Sequence, residues 1–477
     1  MLDIVVLAAG KGTRMKSSLP KVLHPIAGLP LLSHVLNTAV SLGEQDSSDH
    51  HLHVVIGHGA PLLRDFLANQ SLPNNQSLDI TEQTEQLGTG HAVDQAMPHV
   101  DATSTVLVLY GDVPLIQQDT LEQLVARAEH QKLAVLTVEL ADATGYGRIV
   151  RNAEGGVEAI VEHKDANAEQ LAINEINTGI LALPAAWLKE WLPKLSSDNA
   201  QGEYYLTDII EMAAKSDLPV TAIQPDHEQE VQGINNRLQL AELERWYQRR
   251  QADHWMTQGA TLMDPSRVDF RGDIQLGQDV TVDINVIFEG QVQVGDNVSI
   301  GANCILKDCV IAAGAIIKAN SMIDDSQVGS ECEVGPYARL RPGTVLADRA
   351  KVGNFVETKK TIVGEGSKIN HLSYIGDAVV GSGANIGAGT ITCNYDGVMK
   401  HRTEIGARAF IGSNTMLVAP VKIGREAMTA TGAVVTKNVE AGALAIARTP
   451  QQNKPDRAYK LFDLLRAKKA KRDKGDS

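Results

Sequence analysis

Two groups of residues in this 477-residue chain have the types and spacing to do chemistry, and they lie far apart in sequence. The first opens at the N-terminus. Ala8-Ala9-Gly10-Lys11-Gly12-Thr13-Arg14-Met15 ends an apolar run over residues 3–9 and is followed by Leu19-Pro20-Lys21. Glycines in such a turn let backbone N–H groups approach a phosphate, and Arg14 and Lys21 add the two cations of a triphosphate grip. The Walker pattern is excluded because no Lys-Ser/Thr pair follows the second glycine; the Rossmann fingerprint lacks its third glycine. Asp112, in Tyr110-Gly111-Asp112, follows an apolar run at the place where ligands sit in open α/β sheets, and is the expected first metal ligand. Gln83, in a turn running to Gly88-Thr89-Gly90, can both donate and accept, which suits a uracil edge. Gly147, Glu162 and Asn177 lie in segments with the polar groups that a sugar of several hydroxyls requires.

The second group lies in the C-terminal half. Asn354–Ser373 holds Glu357, Lys359, Lys360 and His371, and Cys393-Asn394-Tyr395-Asp396-Gly397 opens a loop running to Thr403. A histidine and a carboxylate in one region can form a base and its orienting partner, although His371 taken alone reads first as a satisfied structural histidine. Both segments interrupt a regular pattern, and interruptions in a repeat are where function concentrates.

That pattern must position the second group. In steps of six from Val268 to Val352 (Ile274, Val280, Val286, Val292, Val298, Cys304, Val310, Ile316, Met322, Val328, Val334, Leu340 and Leu346 between them) every residue is apolar. The beat returns at Val380 and Ile386, and again from Ile405 to Ile423. Period six fits neither a helix nor a lone strand, but short strands wound into a β-helix with one aliphatic per hexad pointing inward. About ten coils at the strand spacing of about 4.8 Å make a prism some 50 Å long.

The first group needs an α/β domain. Strands are expected at residues 3–9, His53–Ile56, Thr105–Leu109, Leu133–Glu139 and Gly179–Leu183, with helices over Pro30–Leu42, Gly90–Ala96 and Thr120–His130. Glu44–His51 reads as a surface loop whose His50-His51-x-His53 cluster is solvated rather than metal-binding. Arg237–Thr257 reads as an exposed or linking helix. The expected organisation is a head over 1–232, a linker helix over 233–258, the β-helix over 259–450 and a basic tail over 451–477.

Composition narrows the class. A net charge of −14 argues against nucleic acid, and no apolar run reaches membrane length. The N-terminus enters a strand with no basic stretch before it, so no signal peptide is expected. Cys304, Cys309, Cys332 and Cys393 lack zinc spacing and read as free thiols of a reducing cytosol.

Leu7-x-x-Gly-x-Gly-Thr-Arg-Met with Pro20-Lys21 resembles the signature of sugar-nucleotide pyrophosphorylases. With the hexads, Glu85-Gln-Leu-Gly-Thr-Gly-His91, Gly353-Asn-Phe-Val-Glu357 and Gly387-Ala-Gly-Thr-Ile-Thr-Cys-Asn-Tyr-Asp-Gly397, nearly the whole chain resembles the family of bacterial bifunctional N-acetylglucosamine-1-phosphate uridylyltransferases/glucosamine-1-phosphate acetyltransferases. The resemblance implies a Rossmann-like nucleotidyltransferase domain followed by a left-handed parallel β-helix, assembled as a cytoplasmic homotrimer that binds neither nucleic acid nor membrane. It implies acetyl transfer from acetyl-CoA to glucosamine 1-phosphate in the C-terminal domain. Uridylyl transfer from UTP to N-acetylglucosamine 1-phosphate follows in the N-terminal one, for cell-wall and lipopolysaccharide synthesis.

The residues follow by the same resemblance. The nucleotide is held by Leu7, Ala8, Ala9, Gly10, Lys21, Gln83, Gly88, Thr89, Tyr110, Gly111 and Asp112, with Arg14 assisting the chemistry. Gly147, Glu162, Asn177 and Asn235 hold the sugar, and Mg²⁺ sits on Asp112 and Asn235. In the C-terminal site Arg341, Lys359, Tyr374 and Asn385 hold the sugar phosphate, His371 is the general base and Glu357 its orienting carboxylate. Ala388, Asn394, Tyr395, Ser413, Thr431 and Arg448 contact acetyl-CoA, Thr431 standing where the family pattern has Ala. The competing expectation is a single nucleotidyltransferase whose β-helix serves assembly alone.

Overall fold

A computed structural model describes residues 1–42, 50–70, 76–128, 132–216, 218–473 and 475. The chain forms two compact units, Met1–Gln275 with Asp283–Val292, and Leu276–Val282 with Gln293–Ser477.

The first unit is built on a mixed sheet. Its strands β1 (Leu2–Ala8), β2 (His50–Ile56), β3 (Gln76–Glu82), β4 (Thr105–Tyr110), β5 (Leu133–Glu139), β6 (Glu175–Pro184) and β7 (Val220–Ile223) lie in the order β7-β5-β6-β4-β1-β2-β3. β6 is antiparallel to both neighbours, and the other pairs are parallel. β1 is buried along its length because both of its faces are covered. Ile4, Val6 and Ala8 enter one core with the helix Leu31–Ser41, while Val5 and Leu7 enter the other with the helix Thr89–Ala96. That alternation is the two-residue period of a strand. Strand order reverses between β1 and β4, so a crevice opens at their carboxyl ends.

Four sequence expectations shift. β2 begins at His50, so His50 and His51 belong to a strand rather than a loop; residues 43–49 lie outside the described residues. His53 is fully buried, with Nε2 2.7 Å from the Asp3 carboxylate on the adjacent strand, and no group of three or more His, Cys, Asp or Glu residues that could hold a metal occurs among the described residues. The helix expected over Thr120–His130 runs Gln118–Ala128, and residues 129–131 lie outside the described residues. The helix Arg237–Thr257 is not merely a linker. Leu240, Leu243, Trp246 and Tyr247 pack on Met15, Ile26, Leu31, Leu115 and Ile234, whereas Leu238 faces solvent.

The second unit is the left-handed parallel β-helix. One of its faces stacks ten parallel strands of two to four residues, from Thr281–Val282 to Leu444–Ala445. Val282, Ile300, Ile317, Val334, Val352, Ile369, Ile386 and Ile411 occupy one position in successive coils, and all are buried. The strict six-residue beat does not hold throughout. Ser299 pairs with Ile316 and Ile316 with Glu333, a repeat of seventeen residues and not eighteen. One five-residue step in each seventeen-residue coil slides the phase, so Val310, Ile316 and Met322 face out while Leu306, Ile311, Ile317 and Ile323 fill the core. The short steps turn at residues such as Asp308 and Asp325, which hold left-handed backbone (φ 44° and 40°) as aspartate tolerates. All four cysteines are free, and burial pushes the Cys309 thiol up to about 12.

Candidate active sites

In the first unit the crevice becomes a cavity of about 450 Å³ lined by Leu7, Ala8, Ala9, Gly10, Lys21, Gln83, Gly88, Thr89, Tyr110 and Asp112, all expected from sequence. Lys11, Gln86 and Glu203 also line it and were not expected to. The turn that follows β1 brings Lys21 back to the site. Gly12 holds φ 56°, and a Cβ there would lie 2.7 Å from the Lys21 Cβ, so only glycine lets the two segments touch. The Gly111 N–H donates to the Leu7 carbonyl at 2.9 Å, which locks the Tyr110–Asp112 turn beside the loop.

The Lys21 ammonium bonds the Asp112 carboxylate and, at 3.2 Å, the Asn235 Oδ1. Arg14 donates to the same Asn235 oxygen at 2.8 Å. Asn235 reaches the site because the Ile234 N–H donates to the Asp112 carbonyl at 2.9 Å. The two expected metal ligands thus converge on one cationic group. Their oxygens, one charged and one neutral, are the hard donors that Mg²⁺ takes.

At the other end of the cavity the Gln83 Nε2 donates to the Gly88 carbonyl at 3.0 Å and lies 3.0 Å from the His91 Nδ1. The bond to Gly88 orients the amide with Nε2 toward that carbonyl and leaves Oε1 as an acceptor. Gly88, at φ 117°, packs so closely on Tyr204 that a Cβ would meet its carbonyl oxygen at 2.5 Å. The Tyr204 N–H donates to the Leu87 carbonyl and the Leu206 N–H to the Thr89 hydroxyl, which seats Glu203 in the wall. Gln86 and Glu203 stand in segments read from sequence only as a turn and a helix entry; the zipper joining them has no short-range signal.

Gly147, Asn177 and Glu162 also come together. The Asn177 N–H donates to the Gly147 carbonyl at 2.8 Å, and Glu162 lies against Gly147 and accepts from the Thr207 hydroxyl at 3.3 Å. Burial raises the Glu162 carboxyl above its ordinary range, and Asp165, Asp208 and Glu203 raise it further. Burial likewise raises the Tyr110 phenol far above its usual value.

In the second unit the interrupted coils form the other cluster. His371 ends the strand Lys368–His371, and the left-handed corner at Leu372 (φ 52°) separates it from Tyr374 on the next face. Asn385 lies on the His371 face, where it pairs with Lys368. Arg341, Glu357, Lys359 and Tyr374 lie on successive coils of the adjoining face, Glu357 pairing with Tyr374. The expected partnership of Glu357 with His371 is not present. Arg341 donates to the Glu357 Oε1 at 2.8 Å, and the His371 Nδ1 lies 2.6 Å from the Asn354 Oδ1. A guanidinium two positions along a neighbouring strand competes better for the carboxylate than an imidazole around the corner.

The residues expected to meet acetyl-CoA form a ladder. The Asn414 N–H donates to the Ala388 carbonyl at 2.7 Å, the Gly432 N–H to the Ser413 carbonyl at 2.8 Å, and the Arg448 guanidinium to the Thr431 carbonyl at 3.0 Å. Positions 388, 413, 431 and 448 therefore climb one edge of the prism coil by coil. Asn394 is buried and donates to the Asp377 carboxylate at the mouth of the extruded loop. That loop folds on itself. Lys400 lies 4.0 Å from the Tyr395 ring centroid, and Asp396 accepts from His401 and from two backbone N–H groups, which hold its carboxyl well below the usual range.

The fold and these two clusters define a nucleotidyltransferase carried in one chain with a hexapeptide-repeat domain. A MobA-like NTP transferase domain model matches residues 4–218, a GMPPB C-terminal domain model residues 270–363, and a model of the hexapeptide repeat of succinyl-transferase residues 402–437. The chain is 58% identical over 452 residues to the bifunctional protein GlmU of Marinobacter nauticus, covering 95% of this chain and 97% of that protein. It is 56% identical to those of Cellvibrio japonicus and Pseudomonas putida, each over 95% of this chain and at least 97% of the relative. The chain belongs to the family of the bifunctional protein GlmU.

Proposed function

We propose that the first unit transfers uridylyl from UTP to N-acetylglucosamine 1-phosphate, releasing pyrophosphate, and that the second acetylates glucosamine 1-phosphate with acetyl-CoA to supply that acceptor. The convergence of Lys21, Asp112, Asn235 and Arg14 on one point carries the reading of the head. The sugar phosphate is itself an anionic nucleophile, so no strong base is required; the barrier is repulsion between anions and charge developing on the leaving pyrophosphate. The N–H groups of the Ala8–Lys11 turn with Lys21 and Arg14 oppose that charge. Asp112 and Asn235 would hold Mg²⁺, which when bound neutralises phosphate oxygens. Gly147, Glu162, Asn177 and Asn235 orient the sugar.

In the tail unit, the β-helix, His371 takes the proton of the glucosamine amine while the amine nitrogen attacks the thioester carbonyl; the N–C bond forms, the C–S bond breaks, and the imidazolium passes its proton to the leaving sulfur so that CoA departs as the thiol. Arg341 and Lys359 hold the phosphate with Tyr374 and Asn385, Glu357 keeping Arg341 in place. Ala388, Asn394, Tyr395, Ser413, Thr431 and Arg448 line the CoA path. A homotrimer is supported by an exposed apolar strip beside His371, in which Leu372 follows the stacked rings of Tyr337 and Phe355 (centroids 5.3 Å apart). Among the described residues no helix is long and apolar enough to cross a membrane, and the free thiols suit the cytoplasm.

The test is thiol release from acetyl-CoA with glucosamine 1-phosphate as the only acceptor. Acceptor-dependent release establishes the tail reaction. None from folded protein would leave the β-helix as an assembly domain.

A further inference from the structure

We infer that Asn354, not a carboxylate, is the positioning residue of His371, and that its neutral amide fixes the orientation and tautomer of the imidazole. The inference rests on the reading of His371 as the acetyl-transfer base. Asn354 and His371 are register partners on adjacent parallel strands, seventeen residues apart, one short coil. The Asn354 Oδ1 lies 2.6 Å from the imidazole Nδ1. An amide oxygen can only accept, so Nδ1 is the donor, and in the neutral ring it is Nε2 that has the lone pair. The backbone tightens the same corner. The Leu372 N–H donates to the Asn354 carbonyl at 3.0 Å, and the Ser373 hydroxyl to the His371 carbonyl at 2.8 Å. The backbone is thus held on both sides of the left-handed turn, and the His371 side chain, bonded to Asn354, stays exposed.

The choice of amide has a chemical consequence. A carboxylate beside the ring would favour the imidazolium and raise the pH at which the base becomes available. The charged groups on the strands around His371 are Lys351 and Lys368 on its own face, and Lys359, Lys360, Asp377 and the Glu357–Arg341 pair beyond the corner. Both carboxylates among them already have partners, Glu357 with Arg341 and Asp377 with Asn394.

The experiment compares Asn354→Ala, Asn354→Asp and His371→Ala in the full chain, with acetyl transfer followed from pH 6 to 9 and uridylyl transfer as the control for folding. Asn354→Ala should lower kcat about 10- to 100-fold with KM for both substrates within about twofold, as expected for an orienting partner. Asn354→Asp should move the acid limb of kcat/KM to higher pH by about one unit. The imidazole ¹⁵N spectrum of the wild-type chain should show Nδ1 protonated. Full kcat in Asn354→Ala, or an unmoved acid limb in Asn354→Asp, overturns the proposal while His371→Ala remains inactive. An active His371→Ala would instead remove the reading of His371 as the base, and the proposal with it.

Discussion

The Lys21 ammonium is bonded to the Asp112 carboxylate across 91 positions of sequence, and it shares the Asn235 oxygen with Arg14. Asp112 and Asn235 would hold a divalent ion, and the Lys21 charge beside them opposes the repulsion between the reacting anions. Lys21→Ala should therefore lower kcat/KM for uridylyl transfer about 10²- to 10³-fold, the scale of one lost transition-state contact. Acetyl transfer should stay within about twofold. Steady-state rates of both reactions on one preparation decide it.

The two clusters are built from different compact units, so their reactions should separate. Asp112→Ala is expected to abolish uridylyl transfer and leave acetyl transfer nearly intact, and His371→Ala to do the reverse. If either change silenced both in a chain that remained folded, the assignment of one reaction to each cluster would fall.

Gln83 offers its Oε1 as an acceptor because its Nε2 is turned to the Gly88 carbonyl. Uracil presents an N–H at N3, where cytosine presents a lone pair. Removing the acceptor with Gln83→Ala should cut the preference for UTP over CTP about 10- to 100-fold, the equivalent of 1–3 kcal/mol for one buried hydrogen bond and its mismatch. An unchanged ratio of kcat/KM for the two nucleotides would place base recognition elsewhere.

Glu162 is held above the ordinary carboxyl range by burial and by Asp165, Asp208 and Glu203, against the opposing hydroxyl of Thr207. An acid whose folded pKa is raised costs stability when ionised, and the cost vanishes as pH falls through the raised value. Glu162→Gln should then raise the melting temperature of the head by about 2–4 °C at pH 7.5, the scale of 1 kcal/mol, and by less near pH 4. KM for the sugar phosphate should rise in the same variant. Equal melting shifts at both pH values would remove the electrostatic explanation.

Arg448 grips the Thr431 backbone carbonyl rather than its side chain. Thr431→Ala should leave KM for acetyl-CoA within about twofold, whereas Arg448→Ala removes the guanidinium and should raise it about tenfold, one charge-assisted hydrogen bond. Titration of both variants with acetyl-CoA separates the two effects.

The sequence by itself determined the architecture and most of the nucleotide cavity. An apolar strand must be buried on both faces, a glycine turn after it must open toward phosphate, and a six-residue apolar beat has no satisfactory solution except a coil. These are local constraints, legible wherever one short segment carries the whole signal: Leu7–Gly10, Lys21, Gln83 and Tyr110–Asp112 could be named before their geometry was known. Tertiary structure alone decided which side chain answers which. Glu203 lines the cavity only because Tyr204 and Leu206 bond the Leu87–Thr89 turn. Val310, Ile316 and Met322 face outward because one five-residue step shifts the coil by a position, a difference the apolar count cannot register. Asn354 meets His371, and Arg341 takes Glu357, because coil register sets side by side residues that are seventeen and sixteen positions apart in sequence. A strand's pattern fixes the face a side chain uses; which partner stands opposite depends on the stacking of the next coil, and that is a property of the folded chain.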